Sequence, residues 1–386
     1  MKLSPISAPS ALAGSLAFAL AAALPAPAGA QSGKAELTID VATHTSPGMG
    51  GGLMGRLASR TVAKPHYGMA RHPGMAGRYL DVALYNPARP GVPAQQAIPK
   101  GLRLGRQLEL LPPERKGQAN DAGGDATSMA FSDGGTYRVR YYWGCGEHAG
   151  KGQPVEYSVT VRNGKPVQKG RAMKPRFTPD HIDVDRGYVL WPNQASRDAV
   201  SSRASLVGGH HVTGEKLPDA MQFELAAAQD FMAELEPTTT GNTTDGLTLK
   251  WNGVDGAQAY FAHATVADGD TVVMWSSSED GYAGHEMLDY LPASKVGQWT
   301  TKRTLMGASA RECTIPVEVF AGGGTPMLQM AAHGGERTLS GTGWNARVRN
   351  KSTAMLLLGA DGAARDAAKP TAKDAAKGML RGLLGR

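Results

Sequence analysis

Apolar positions in this chain repeat with a period of two over short runs. In TYRVRYYW, Thr136 to Trp143, the residues Tyr137, Val139, Tyr141 and Trp143 fall on one face. Arg138, Arg140 and Tyr142 fall on the other, because successive strand side chains point to opposite sides. Val155, Tyr157, Val159 and Val161 share a face in the following run. RYLDVALY, KGLRLGRQLELL, GYVLW and AMQFELA are further runs rich in aromatic and branched residues, separated by turn signals such as NPARPG, SDGG and RNGK. Asn163-Gly164 is the strongest of these turns. Short half-buried strands without crossover helices predict an all-β fold made of two antiparallel β-sandwich domains.

The pattern also divides the chain. AELTIDVAT, from Ala35 to Thr43, alternates as a strand. His44 to Gly77 is rich in Gly, Met and Pro with no sustained period, so residues 31–77 are expected to be one strand plus a flexible segment. An irregular sandwich is expected over 78–237. The polar break TTTGNTTDG, Thr238 to Gly246, marks the boundary of a second sandwich over 238–335. Residues 336–386 are expected to be a tail. In PTAKDAAKGMLRGLLGR, Ala372, Ala375, Ala376, Met379, Leu380, Leu383 and Leu384 have the spacing of one helical face, with Lys373, Lys377 and Arg381 off it. Gly378 and Gly382 each weaken that helix by about 1 kcal/mol relative to alanine. Met379, Leu380, Leu383 and Leu384 are therefore candidate contacts for a partner groove or an anionic membrane surface.

The second unit carries a family resemblance. In GLTLKWNGVDGAQAYFAHATVADGDTVVMWSSSE, Leu247, Leu249 and Trp251 share one face, a Gly-containing turn follows, and Tyr260 comes nine residues after the tryptophan. This resembles a fibronectin type III or immunoglobulin-like module, with TKRTL, CTIPVEVF and PMLQMAAH as later strands. The resemblance implies a sandwich with Trp251 and Tyr260 in its core, and it implies no activity. Tyr142, Trp299 and Trp344 are the aromatic residues to watch outside the core.

Composition and the N-terminus set the compartment. Lys2 is the only charge in the first thirty residues, an apolar run spans Leu12 to Leu24, and Ala28-Gly29-Ala30 precedes Gln31. This pattern predicts a signal peptide over 1–30, because the apolar core is too short and alanine-rich for a membrane span. No later segment has the roughly 20 apolar residues of a transmembrane helix. The expected location is periplasmic or secreted. Gly 50 and Pro 24 in 386 residues fit a turn-dense fold. The +7 charge is scattered, and the patterns of nucleic-acid binders are missing, so no nucleic-acid partner is expected.

Candidate chemistry is sparse. Gly50 to Gly55 matches GxGxxG, but the acidic residue expected downstream is missing. There is no phosphate-binding loop, HExxH, GxSxG or SxxK motif. His66, Met69, His72 and Met75 are spaced by three, with His44, Met49 and Met54 before them. Thioethers with imidazoles suit Cu(I), so a copper site is the metal alternative to a cofactor-free protein. His210-His211 would point to opposite faces of a strand. Ser276 to Ser278, Glu279, Asp280 and His285 have the residue types of a hydrolytic site, without a nucleophile–base spacing.

Cys145 and Cys313 are the only cysteines. They allow a disulfide, two buried thiols, or a catalytic Cys145 beside His148, and an oxidising compartment favours the disulfide, expected as a seam between the two domains. The expected function is a non-enzymatic binding or structural role in the cell envelope, toward an unidentified protein or envelope component. The alternatives are a copper-binding protein and an envelope glycan-acting enzyme without a recognisable motif.

Overall fold

The structure is a computed structural model that describes residues 33–47, 64–71, 75–113, 135–163, 165–170, 172–183, 186–243 and 245–359. The expected leader, the Gly50–Gly55 motif, Met49, Met54, His72 and the C-terminal helix lie outside the described residues.

The first half of the chain supplies β1 (Ala35–Thr45), β2 (Gly77–Tyr85), β3 (Ala94–Ala97), β4 (Gln107–Leu110) and β5 (Thr136–Trp143). It continues through β6 (Val155–Arg162), β7 (Lys165–Gly170), β8 (Tyr188–Trp191), β9 (Gly208–Gly214) and β10 (Gln222–Leu225). The second half supplies β11 (Thr238–Asn242), β12 (Gly246–Lys250), β13 (Ala259–Asp268), β14 (Thr271–Ser276), α1 (Ala293–Thr301), β15 (Met306–Gly307), β16 (Glu312–Ile315), β17 (Met327–Gly341) and β18 (Trp344–Leu357). The all-β reading holds.

One mixed sheet carries the architecture, in the order β7-β6-β5-β14-β13-β17-β18-β1-β2-β8, with β15 attached to β13. Two small sheets cover its first face. The four-stranded sheet β10-β9-β3-β4 packs over β1, β2, β8 and the start of β18, enclosing Leu37, Ile39, Val82, Trp191, Phe223 and Trp344. The three-stranded sheet β11-β12-β16 packs over β14, β13, β17 and the end of β18, enclosing Leu247, Leu249, Trp251, Tyr260, Trp275 and Leu356. Trp251 and Tyr260 meet there with ring centroids 5.6 Å apart.

Two cores thus lie side by side on one face of a shared sheet, and their membership differs from the sequence division in three ways. Strands β5 to β7 extend the second sheet through the parallel pair β14·β5, because Tyr142 belongs to the second core. The expected boundary at 335/336 falls inside β17. Residues 336–357 form strands rather than a tail, and the β17–β18 hairpin places Leu339, Trp344, Ala346 and Val348 in the first core. The disulfide Cys145–Cys313, with Cα atoms 5.2 Å apart, joins the end of β5 to β16. It therefore ties the large sheet to the three-stranded sheet within the second core. Tyr142, Trp299 and Trp344 are all buried.

The segment between the two cores, residues 226–237, runs along the seam on the first face. Thr43 and Thr45 donate to the carbonyls of Met232 and Leu235. Asn350 donates to those of Ala228 and Asp230. Across the second face lie the segment 66–71, the strap 172–183, and the stretch 285–305 that includes α1. Trp299 and Val296 of α1 pack on Phe261 and Ala331 of the sheet, and Phe177 of the strap packs on Trp299.

Candidate functional site

The second face of the seam is ionic. Asp40 on β1 sits opposite Arg349 on β18 in parallel register, and the guanidinium donates two hydrogen bonds of 2.7 Å to the carboxylate. Arg71 lies 3.4 Å from Asp40 and 3.1 Å from Asp289. Lys351 donates to the carbonyls of Arg71 (2.6 Å) and Leu288 (2.7 Å). Arg349 and Lys351 both lie over the ring of Tyr290. All these side chains are buried, so each charge needs its partner.

Electrostatics follow from that burial. Desolvation lowers Lys351 to about 8, with Asp289 opposing the shift. It raises Asp81, behind Asp40 on the same face, to about 8, against a hydrogen bond from the Ala70 amide. Burial works against the Arg71 charge, but Asp40 and Asp289 more than offset it. Desolvation lowers His333 to about 3, with Lys351 adding to the shift. The cluster pins 66–71 and 285–291 to the sheet, with Asp81 Oδ1 and His333 Nε2 buried without a hydrogen-bond partner.

Next to it the network opens to solvent. Arg347, one turn of the pleat from Arg349, pairs with Asp180 of the strap at 2.5 Å, and Arg71 donates to the Asp180 carbonyl at 2.7 Å. Here a cleft of about 460 Å³ lies between a sheet floor and a strap wall. The floor includes Glu36, Thr38, Asn345, Arg347 and Tyr188, and the wall includes Asp180, His181, Asp183 and Arg186. Burial pushes Asp180 up, but Arg347 overrides it and holds the carboxyl below its ordinary value. Burial, with Glu36 and Asp180 nearby, keeps the Tyr188 phenol protonated.

No protein-family model and no curated protein matches this chain.

The residues singled out from sequence are placed as follows. His66 is exposed, its ring N–H turned to the Tyr67 carbonyl, and its amide donates to the Met69 sulfur at 3.4 Å. The Met75 carbonyl accepts from Tyr79. His72, the remaining member of the set, lies outside the described residues. His44 is buried, with ring nitrogens on Thr353 and the Met69 carbonyl. Among the described residues no group of three or more His, Cys, Asp or Glu is arranged to hold a metal ion. His210 and His211 take opposite faces of β9: the first stacks on Phe223 and bonds Gln96 and the Leu206 carbonyl, the second reaches the Asp219 carbonyl. Ser276, Ser277 and Ser278 are fully buried. Ser276 accepts from the Ala283 amide and Ser277 from the Ala262 amide, which leaves no accessible nucleophile there. Among the described residues no helix is long and apolar enough to cross a membrane.

Sequence reasoning missed Asp40, Arg71, Asp180, Arg347, Arg349 and Lys351. A signal was present: LTIDVAT and YLDVALY each carry an aspartate inside an otherwise apolar strand, where a buried charge requires a partner from elsewhere.

Proposed function

We propose that this chain is an exported, non-enzymatic binding protein of the cell envelope, periplasmic or secreted, and that the cleft above Arg347 is its ligand site. The observation that carries the reading is the contrast between the sealed ionic seam and its open continuation at Asp180–Arg347. The same charged rows that are satisfied internally along the seam present their polar edges to solvent in the cleft. A preformed concave site with a few fixed polar groups is what ligand binding uses.

The three-plus-four arrangement, β11-β12-β16 facing β14-β13-β17-β18, supports the fibronectin type III-like reading of the second sandwich, a class of module that serves binding roles on many surfaces. A glycan-cleaving enzyme would need one cleft carboxyl raised to act as a proton donor. Asp180 is shifted the other way. The carboxyl that is raised, Asp81, is buried at 3% exposure beneath the seam and is not among the residues lining the cleft.

The test uses the full chain secreted with its own leader. Labelled envelope material is passed over immobilised wild type and over Arg347→Glu, whose fold is checked by circular dichroism. Retention by the wild type that the variant loses is the expected result. Equal retention by both, or recovery of the protein in the cytoplasmic fraction, rejects the proposal.

A further inference from the structure

The cleft's own chemistry narrows the ligand class, and this step rests on the cleft being the binding site. Strand register places Ser340, Asn345, Glu36, Tyr85 and Tyr188 in one row across β17, β18, β1, β2 and β8. All five are exposed or half-buried, on the face opposite the first core. Four inter-strand steps of about 4.8 Å give a row about 19 Å long, of which Asn345, Glu36 and Tyr188 line the cleft. The row starts with a hydroxyl, an amide and a carboxylate. It ends in the Tyr85–Tyr188 ring pair, with centroids 5.3 Å apart. Thr38 and Arg347 stand in the adjacent row, and the wall adds Asp180, His181, Asp183 and Arg186.

Charge decides among ligand classes. Glu36, Asp180 and Asp183 face Arg186 and Arg347, and four of these five are already paired, at 2.5 Å for Arg347–Asp180 and 3.3 Å for Arg186–Asp183. A polyanion would have to displace carboxylates from both guanidiniums, and a polycation, beyond Glu36, would have to displace the guanidiniums from Asp180 and Asp183. An apolar ligand would strand the polar groups without hydrogen bonds. A neutral ligand rich in hydroxyls avoids all three costs. Each hydroxyl both donates and accepts, so it can bridge carboxylate, amide and guanidinium edges without breaking their pairs. The C–H faces of a sugar ring pack on an aromatic face, as other apolar surfaces do. A polar row that runs past the cleft at both Ser340 and Tyr85 fits an extended chain better than one compact sugar.

We propose that the cleft binds a neutral, extended saccharide chain, with Tyr188 as the stacking platform and Glu36, Asn345 and Arg347 as its hydrogen-bonding groups. The intact protein is titrated by calorimetry with neutral cello-, malto- and chito-oligosaccharides, and in parallel with heparin and oligolysine. At least one neutral series binds, and Tyr188→Ala and Asn345→Ala each weaken it by about tenfold or more. Tyr188→Phe, which keeps the ring and the fold, retains most of the affinity. Absence of binding by every neutral series, or binding that ignores both alanine variants, overturns the saccharide assignment. If heparin or oligolysine binds instead and Arg347→Glu removes that binding, the cleft stands as the site and only the ligand class falls. If no probe and no envelope material responds to any cleft variant, both readings fall.

Discussion

At the scale of single residues, the molecule holds buried ionisable groups whose protonation differs between folded and unfolded states. His263 and His333 are each lowered by burial from 6.5 to about 3. Below pH 6.5 the unfolded chain protonates them and the folded chain does not, so their contribution to stability is lost as pH falls. His210, also lowered by burial, acts in the same direction. Asp81 is raised by burial from 3.8 to about 8. Its contribution is full below 3.8 and is lost as pH rises toward 8, the opposite sign. Each group contributes about 1.4 kcal/mol per pH unit within its window. Between about pH 4 and 6.5 the two deeply buried histidines outweigh Asp81, giving a net slope near 1.4 kcal/mol per unit, and above 6.5 Asp81 reverses it. Urea unfolding should therefore show a stability maximum near pH 6.5. Asp81→Asn should roughly double the acid-side slope and remove the decline toward pH 8. A variant with the wild-type profile would show that Asp81 titrates normally.

At the scale of elements, the β17–β18 hairpin is what lets one sheet serve two cores. Its register shifts between His333 and Glu336, and past that point the hairpin tip enters the first core. Gly334 makes the bend possible. A Cβ there would press against the Asn350 amide oxygen and lie 2.7 Å from the Met232 sulfur and 2.8 Å from the Asn350 carbonyl. Asn350 is itself the anchor of the linker through Ala228 and Asp230. Gly334→Ala should lower stability by about 1–3 kcal/mol. Gly335→Ala, whose Cβ would meet only the Gln258 amide at 3.5 Å, should stay within about 0.5 kcal/mol of wild type. Equal urea midpoints for the two variants would remove Gly334 from this role. The hairpin was the element least legible beforehand. Strands such as WNARVRNKSTAM are polar on one face because that face is buried among ions, so their pattern resembles a solvated tail.

At the scale of the whole molecule, the shared sheet is joined through β1 and β18, a parallel pair of eleven matched positions, with Asp40 and Arg349 opposite each other at its centre. Separately produced fragments 31–237 and 238–359 should therefore give poorly dispersed amide spectra alone, since each would expose a long strand edge and an unpaired buried charge. Mixing or co-expressing them should restore dispersion, whereas two independently folded fragments would contradict a shared sheet. The sequence by itself determined the β class, most strand positions, the Trp251–Tyr260 core pair and the two cysteines available to bond. These depend on local periodicity, turn chemistry or a count of two. Only the tertiary structure decided which strands are neighbours, where the disulfide acts, and that Asp40, Arg71, Arg349 and Lys351 form a network ending in an open cleft. Those facts depend on pairing between residues some three hundred positions apart, and alternation along a strand says which side a residue faces but never what faces it.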